Sequence, residues 1–225
     1  MINNTDVIKY FDNNTVQKSF SELSINKESK EPLVNSDVLA YDYEECASRL
    51  FASNPFKMVD ALYLKGNTVW LIEFKGGFNL KIPLNNFDMS KWYCDNAKQV
   101  CEEGAKIFKE NQSFKISELI DSIKGKLLET YITFFRLIIP ECNACDNSYK
   151  IKYVSVVDAV SEPISAIDGI LNDLGKTTPK EPSVMARLKT SISKYKIMDK
   201  QQNPLLFDEI LVWSIEEFKT NLCNT

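Results

Sequence analysis

Asp60, Glu73 and Lys75 are the residues of this chain whose types and spacing could do chemistry together. They lie in VDALYLKGNTVWLIEFKGG (59–77), two apolar runs divided by Lys65-Gly66-Asn67. Gly66-Asn67 is a favoured two-residue hairpin turn, because Gly at the first central position supplies a positive φ. With that pair as the loop, opposed residues have numbers summing to 133, so Tyr63 faces Trp70, Leu62 faces Leu71 and Asp60 faces Glu73. The two carboxylates then stand side by side, about 5 Å apart at Cβ. Alternation along the strand puts Lys75 on the same face as Glu73.

That face reads Met58, Asp60, Leu62, Leu64 against Val69, Leu71, Glu73, Lys75. The opposite face reads Val59, Ala61, Tyr63 against Trp70, Ile72, Phe74. Both are largely apolar, so both are expected to be covered. Two carboxylates on a covered face repel each other and lose hydration. Lys75 offsets part of that cost, and a divalent cation offsets more, since paired carboxylates suit Mg²⁺ or Mn²⁺. The plainer alternative is a cross-strand salt bridge at a solvated hairpin end. Register, shared face and apolar flanks coincide here, and together they favour a metal site. Gly76-Gly77 just beyond leaves room for a backbone or a phosphate to approach.

Composition narrows the chemistry further. None of the 225 residues is His. That excludes Ser-His-Asp triads, Cys-His proteases and His-bound zinc, and leaves carboxylates, Lys, Tyr or Cys for acid/base work. A net charge of −4 and a pI of about 5.1 advertise no global cationic field, though a local groove is compatible with both. Six Cys and no apparent secretion signal read as reduced thiols in a cytoplasmic protein. No apolar segment reaches the roughly 20 residues that a membrane span needs, so no membrane partner is expected.

The elements that must position the trio follow from periodicity. Residues 1–35, rich in Asn, Ser and Lys, read as an N-terminal polar and helical extension, and residues 36–225 as the main domain. From Asp37, the spacing of Leu39, Tyr43, Cys46, Ala47 and Leu50 predicts a helix that Asn54-Pro55 ends. The hairpin follows, then a helical block from Ser90 and a longer amphipathic helix from Ser117 to Ile139, stopped by Pro140. A strand is expected over 149–160, helices over 164–174 and 184–197, and a last strand over 207–214 before a short terminal helix. The order predicts an α/β domain with a mixed central β-sheet flanked by helices.

A helix bearing Glu44 and Glu45, a strand with Asp60, and a strand closing on Glu73-Phe74-Lys75 together resemble the PD-(D/E)xK nuclease superfamily. The resemblance covers about residues 37–77, and Val59 stands where the motif's proline would be. It implies a restriction-endonuclease-like core and a metal-dependent nuclease acting on nucleic acid, DNA ahead of RNA. In that reading Asp60, Glu73 and the Phe74 carbonyl hold Mg²⁺ (or Mn²⁺) against the scissile phosphate. Lys75 orients or deprotonates the attacking water. Either Glu44 or Glu45 completes the metal shell; they are about 100° apart on a helix, so one of the two faces the sheet. Endonuclease and exonuclease action are both compatible, as is a homodimer or a partner protein. The alternative is a catalytically inactive nuclease-fold binding module or accessory subunit.

Weaker signals read more plainly. Cys142 and Cys145 have C-x-x-C spacing, and Cys94 and Cys101 lie on an expected helix; a zinc or iron–sulfur site is conceivable, but buried free thiols are the expectation. Lys98, Gln99, Lys124 and Lys126 could reach a phosphate or the site, yet each taken singly reads as a solvated helix residue. Glu129 and Tyr131 are candidates for mutation only.

Overall fold

Among the described residues six strands pair in chain order to form one mixed sheet. The computed structural model describes residues 4–26, 30–51, 56–76, 102–142, 149–158 and 184–224, with backbone alone for 4, 5, 102–113, 115 and 184. Gly77, Cys94, Lys98, Gln99, Cys101 and Cys145, the start of the helix expected from Ser90, and the helix expected over 164–174 lie outside the described residues.

Residues 1–35, set apart above on composition, supply α1 (Asn4–Asn14), β1 (Gln17–Ser19) and α2 (Phe20–Leu23). Val7, Phe11 and Phe20 are fully buried, and β1 pairs antiparallel with β2 (Leu39–Asp42), so this stretch is built into the sheet and its core. The helix expected from Asp37 begins only at Tyr43, as α3 (Tyr43–Ser48). The reason is Asp42, whose side chain accepts the Glu45 N–H and caps the helix there. Before it, Ala40 and Tyr41 point to opposite faces as strand residues do, and each joins a different core cluster.

β3 (Ala61–Lys65) and β4 (Thr68–Lys75) form the expected hairpin in the expected register, with Tyr63 opposite Trp70 and Leu62 opposite Leu71. Gly66 takes φ +58° at the turn. β4 then pairs in parallel with β5 (Lys150–Val157), and a parallel neighbour requires a crossover. That crossover contains α4 (Glu102–Thr133), which widens into a π-turn at Phe134–Ile138 and ends in α5 (Ile139–Glu141). α4 starts before the expected Ser117, and the chain stays helical through Pro140, which sits in the first turn of α5 directly after the π-turn. After α6 (Val184–Ser193), β6 (Glu209–Ser214) adds parallel to β5, followed by α7 (Ile215–Phe218) and a terminal π-turn, Lys219–Cys223.

Each face of the sheet carries its own core. On one side Leu62, Val69, Leu71, Tyr153 and Val212 meet α1, α4 and α6 through Phe11, Ile120, Ile123, Leu127 and Leu188. On the other, Ala61, Trp70, Ile72, Phe74 and Val156 meet Phe20, Phe218 and Leu222. One expected facing fails. Val59 belongs to the α4 side, not to the side of Ala61 and Tyr63. Lys57 N–H donates to the Glu129 carboxylate and Val59 N–H to Thr130 Oγ1 at 3.1 Å, so α4 draws residues 57–59 out of the pleat and the regular strand starts after a bend at Asp60.

Candidate functional site

Asp60 and Glu73 converge at the open end of the hairpin, on the α4 side. Asp60 sits just before β3, beyond the last regular pair, Ala61 with Ile72. Its backbone N–H donates to that same Ile72 carbonyl at 3.0 Å, one residue out of the hairpin register, so the expected Asp60–Glu73 pairing is not part of the ladder. Its Oδ2 accepts the Phe74 N–H at 2.7 Å. Phe74 lies two residues beyond the last β3–β4 pair, so the side chain of Asp60 replaces a strand residue as its partner. Strand geometry turns the Phe74 carbonyl to that same side.

Glu73 is fully buried, in register with buried Ser155 of β5. The charge that answers it comes from α4. Lys126 Nζ lies 2.6 Å from Glu73 Oε2 and 3.3 Å from Asp60 Oδ1, bridging the two carboxylates. Glu73 Oε1 is buried with no hydrogen-bond partner among the described residues. Lys75 lies at the end of β4 and donates to Ser122 Oγ of α4 at 3.2 Å.

Electrostatics follow from that packing. Burial first, and then the Asp60 charge, push the Glu73 carboxyl well above the usual carboxylate range; Lys126 and Lys75 pull it back only in part. For Lys126, burial works against the ammonium, but Glu73 and then Asp60 outweigh it and hold the side chain charged beyond the ordinary lysine range. The Tyr153 hydroxyl is also driven up, by burial and then by Glu73. One ammonium directly bridges a fully buried carboxylate and a partly exposed one, with Lys75 acting on Glu73 from farther off.

The sequence-predicted residues divide accordingly. Asp60, Glu73 and the Phe74 backbone come together, with Lys75 beside them on the same face. Tyr43 N–H donates to the Asp60 carbonyl at 3.1 Å, so α3 starts next to the site. Its acidic side chains nevertheless do not join the cluster: Glu45 pairs with Arg49 at 3.0 Å and Lys18 at 3.6 Å, and Glu44 is exposed. Among the described residues no three Asp, Glu or Cys side chains are grouped as a metal shell. Cys142 is a buried free thiol, and burial raises its pKa to about 12, which disfavours the thiolate a metal needs. Gly76 does not leave open space, because a Cβ there would meet Asn26 Nδ2 at 3.0 Å.

Lys126 is the residue that one-at-a-time reading missed. The signal was a line of polar residues on α4, Ser122, Lys126, Thr130 and Thr133, stepping by three and four along the flank of the apolar stripe Ile116, Ile120, Ile123 and Leu127. All four are engaged: Ser122 with Lys75, Lys126 with the carboxylates, Thr130 with Val59 N–H and Thr133 with the Tyr43 hydroxyl at 2.9 Å.

The donor set fits a divalent cation. Two carboxylates from different elements aim at one cationic centre, and a third oxygen, Glu73 Oε1, is buried without a partner. For that fit the Lys126 head must leave its present position. No protein-family model, curated protein or solved structure matches the chain.

Proposed function

We propose that this protein is a metal-dependent nuclease that hydrolyses phosphodiester bonds, DNA ahead of RNA, on a restriction-endonuclease-like core. The observation that carries the reading is the convergence of Asp60 and Glu73 at one point beside Lys75. The element order supports it too: a short helix, a hairpin with Asp before one strand and E-x-K closing the next, then a helical crossover to a parallel strand.

In this reading Asp60 and Glu73 hold Mg²⁺ or Mn²⁺, with the Phe74 carbonyl on the same side. The cation supplies Lewis acidity at the scissile phosphate and lowers the pKa of water. Asp60 is fixed for this task by the Phe74 N–H, and Glu73 by burial in the centre of the sheet. Lys75, at the end of β4 and held by Ser122, orients the attacking water and meets the charge that develops on the phosphate.

The test is cleavage of plasmid and linear single-stranded DNA by purified protein in Mg²⁺ or Mn²⁺. Lys75→Ala is expected to lower the rate by about 10²-fold or more. Wild type and Lys75→Ala behaving alike, with no cleavage above background, sinks the catalytic reading.

One observation favours a second reading, an inactive binding module or accessory subunit on the same fold. Lys126 already bridges both carboxylates, and a permanent ion pair there leaves no place for a metal. Calorimetry separates the two: a Mn²⁺ site lost in Asp60→Asn favours the nuclease, and no Mn²⁺ binding favours the module.

A further inference from the structure

We propose that Lys126 is an exchangeable counter-cation, which holds the two carboxylates together in the metal-free protein and is expelled when a divalent cation enters between them. This rests on the reading of Asp60 and Glu73 as metal ligands, and it adds a competing group to that site.

The carboxylates of Asp60 and Glu73 come within hydrogen-bond reach of one cation, and that cation is the Lys126 ammonium. Without it, two negative charges face each other in a pocket where one of them is fully buried and Lys75 is turned to Ser122. A lysine in this place keeps the metal-free site folded. It also competes for the same oxygens, so metal binding carries the cost of breaking the pair.

The lysine is suited to exchange. Its side chain is 17% exposed, against 1% for Glu73, so the head has a way out toward solvent while the carboxylate does not. A lysine is a point charge on a flexible stem and can swing without disturbing the helix that carries it. Glu73 Oε1, left without a partner by the present ion pair, gains one when a cation replaces the ammonium. Once displaced, the Lys126 head is a cation at the mouth of the site, of the sign that attracts a phosphate backbone.

Two measurements test the exchange. The first is Mn²⁺ calorimetry, at mildly alkaline pH, on wild type, Lys126→Met and Lys126→Gln. Removal of the competing charge is expected to tighten Mn²⁺ binding by about tenfold or more, the low end of what close charge pairs contribute. Mn²⁺ should also raise the melting temperature of the variants more than that of wild type. Equal or weaker affinity in the variants overturns this inference and leaves the metal reading standing. No binding to wild type or to either variant overturns both.

The second measurement needs no folded variant. Wild type is acylated briefly with an amine-reactive reagent, with and without Mg²⁺, and labelling at each lysine is read by mass spectrometry. Mg²⁺ is expected to raise labelling of Lys126 several-fold relative to Lys18, whose bond to Asp42 lies outside the site. Unchanged labelling of Lys126 under conditions where calorimetry shows the site filled overturns the exchange.

Discussion

β4 presents two opposite solutions to burial on one strand. Trp70, Ile72 and Phe74 point to the face where Phe20, Phe218 and Trp213 close around them; Phe74 meets Phe218 edge-on at 5.5 Å, and Trp70 lies 5.3 Å from Trp213. Leu71, Glu73 and Lys75 point to the other face, where a full carboxylate is buried in the middle of a core. The aromatic face requires only shape and apolar area, which neighbouring elements supply interchangeably. The charged face requires one particular counter-charge at one place, and α4 brings it there. An apolar core tolerates exchange of its members, whereas a buried carboxylate ties the stability of the domain to a single lysine.

That contrast is open to attack by substitution. The largest effect on stability is expected from Lys126→Met, which leaves Glu73 and Asp60 without their shared cation and costs about 3–5 kcal/mol in urea unfolding without divalent metal. A loss under about 1 kcal/mol would mean that the pair behaves like a surface salt bridge, and the contrast between the faces would collapse. Next comes Phe74→Ala on the aromatic face, expected to cost about 3 kcal/mol. Its cost should be the same with and without Mn²⁺, because the Phe74 N–H to Asp60 is backbone and survives the change. Tyr43→Phe removes the hydroxyl that meets Thr133 and is expected to cost about 1 kcal/mol by the same assay, since Thr133 keeps its bond to the Thr130 carbonyl. The smallest net effect belongs to the double variant Glu73→Leu/Lys126→Met, which makes the charged face resemble the aromatic one. Its stability should fall within about 1 kcal/mol of wild type, or above it, while Mn²⁺ binding and cleavage are lost. A stable double variant without a metal site would show that the charges are kept for what they bind.

The hairpin was legible in the sequence because its information is local. Gly66-Asn67 fixes the register as far as Ala61 opposite Ile72, and Asp60, one residue beyond, is brought beside Glu73 by its bond to the Phe74 N–H and by Lys126. β5 and β6 were legible as apolar runs, and the terminal helix as the segment after them. The Tyr43 region was harder. Its apolar spacing suits a helix throughout, but pairing with β1 and β3 overrides that preference up to the Asp42 cap. The N-terminal stretch was hidden by composition, since many Asn and Ser residues mask three aromatic or aliphatic anchors, Val7, Phe11 and Phe20. Lys126 was the costliest miss. A lysine on an amphipathic helix is usually solvated, and only tertiary packing reveals that its neighbours in space are two carboxylates more than fifty positions upstream.

Those separations have a consequence for how the domain assembles. Asp60 and Phe74 are 14 positions apart and can meet as soon as the Gly66-Asn67 turn closes, whereas Lys126 must cross 53 positions to reach Glu73 and 66 to reach Asp60. Local contacts form before distant ones. The Asp60–Phe74 bond can therefore form with the hairpin itself, whereas the Lys126 bridge waits for the crossover helix to pack. The counter-charge that joins the two carboxylates is thus carried by a helix that follows the hairpin at a distance in the chain and packs back on it.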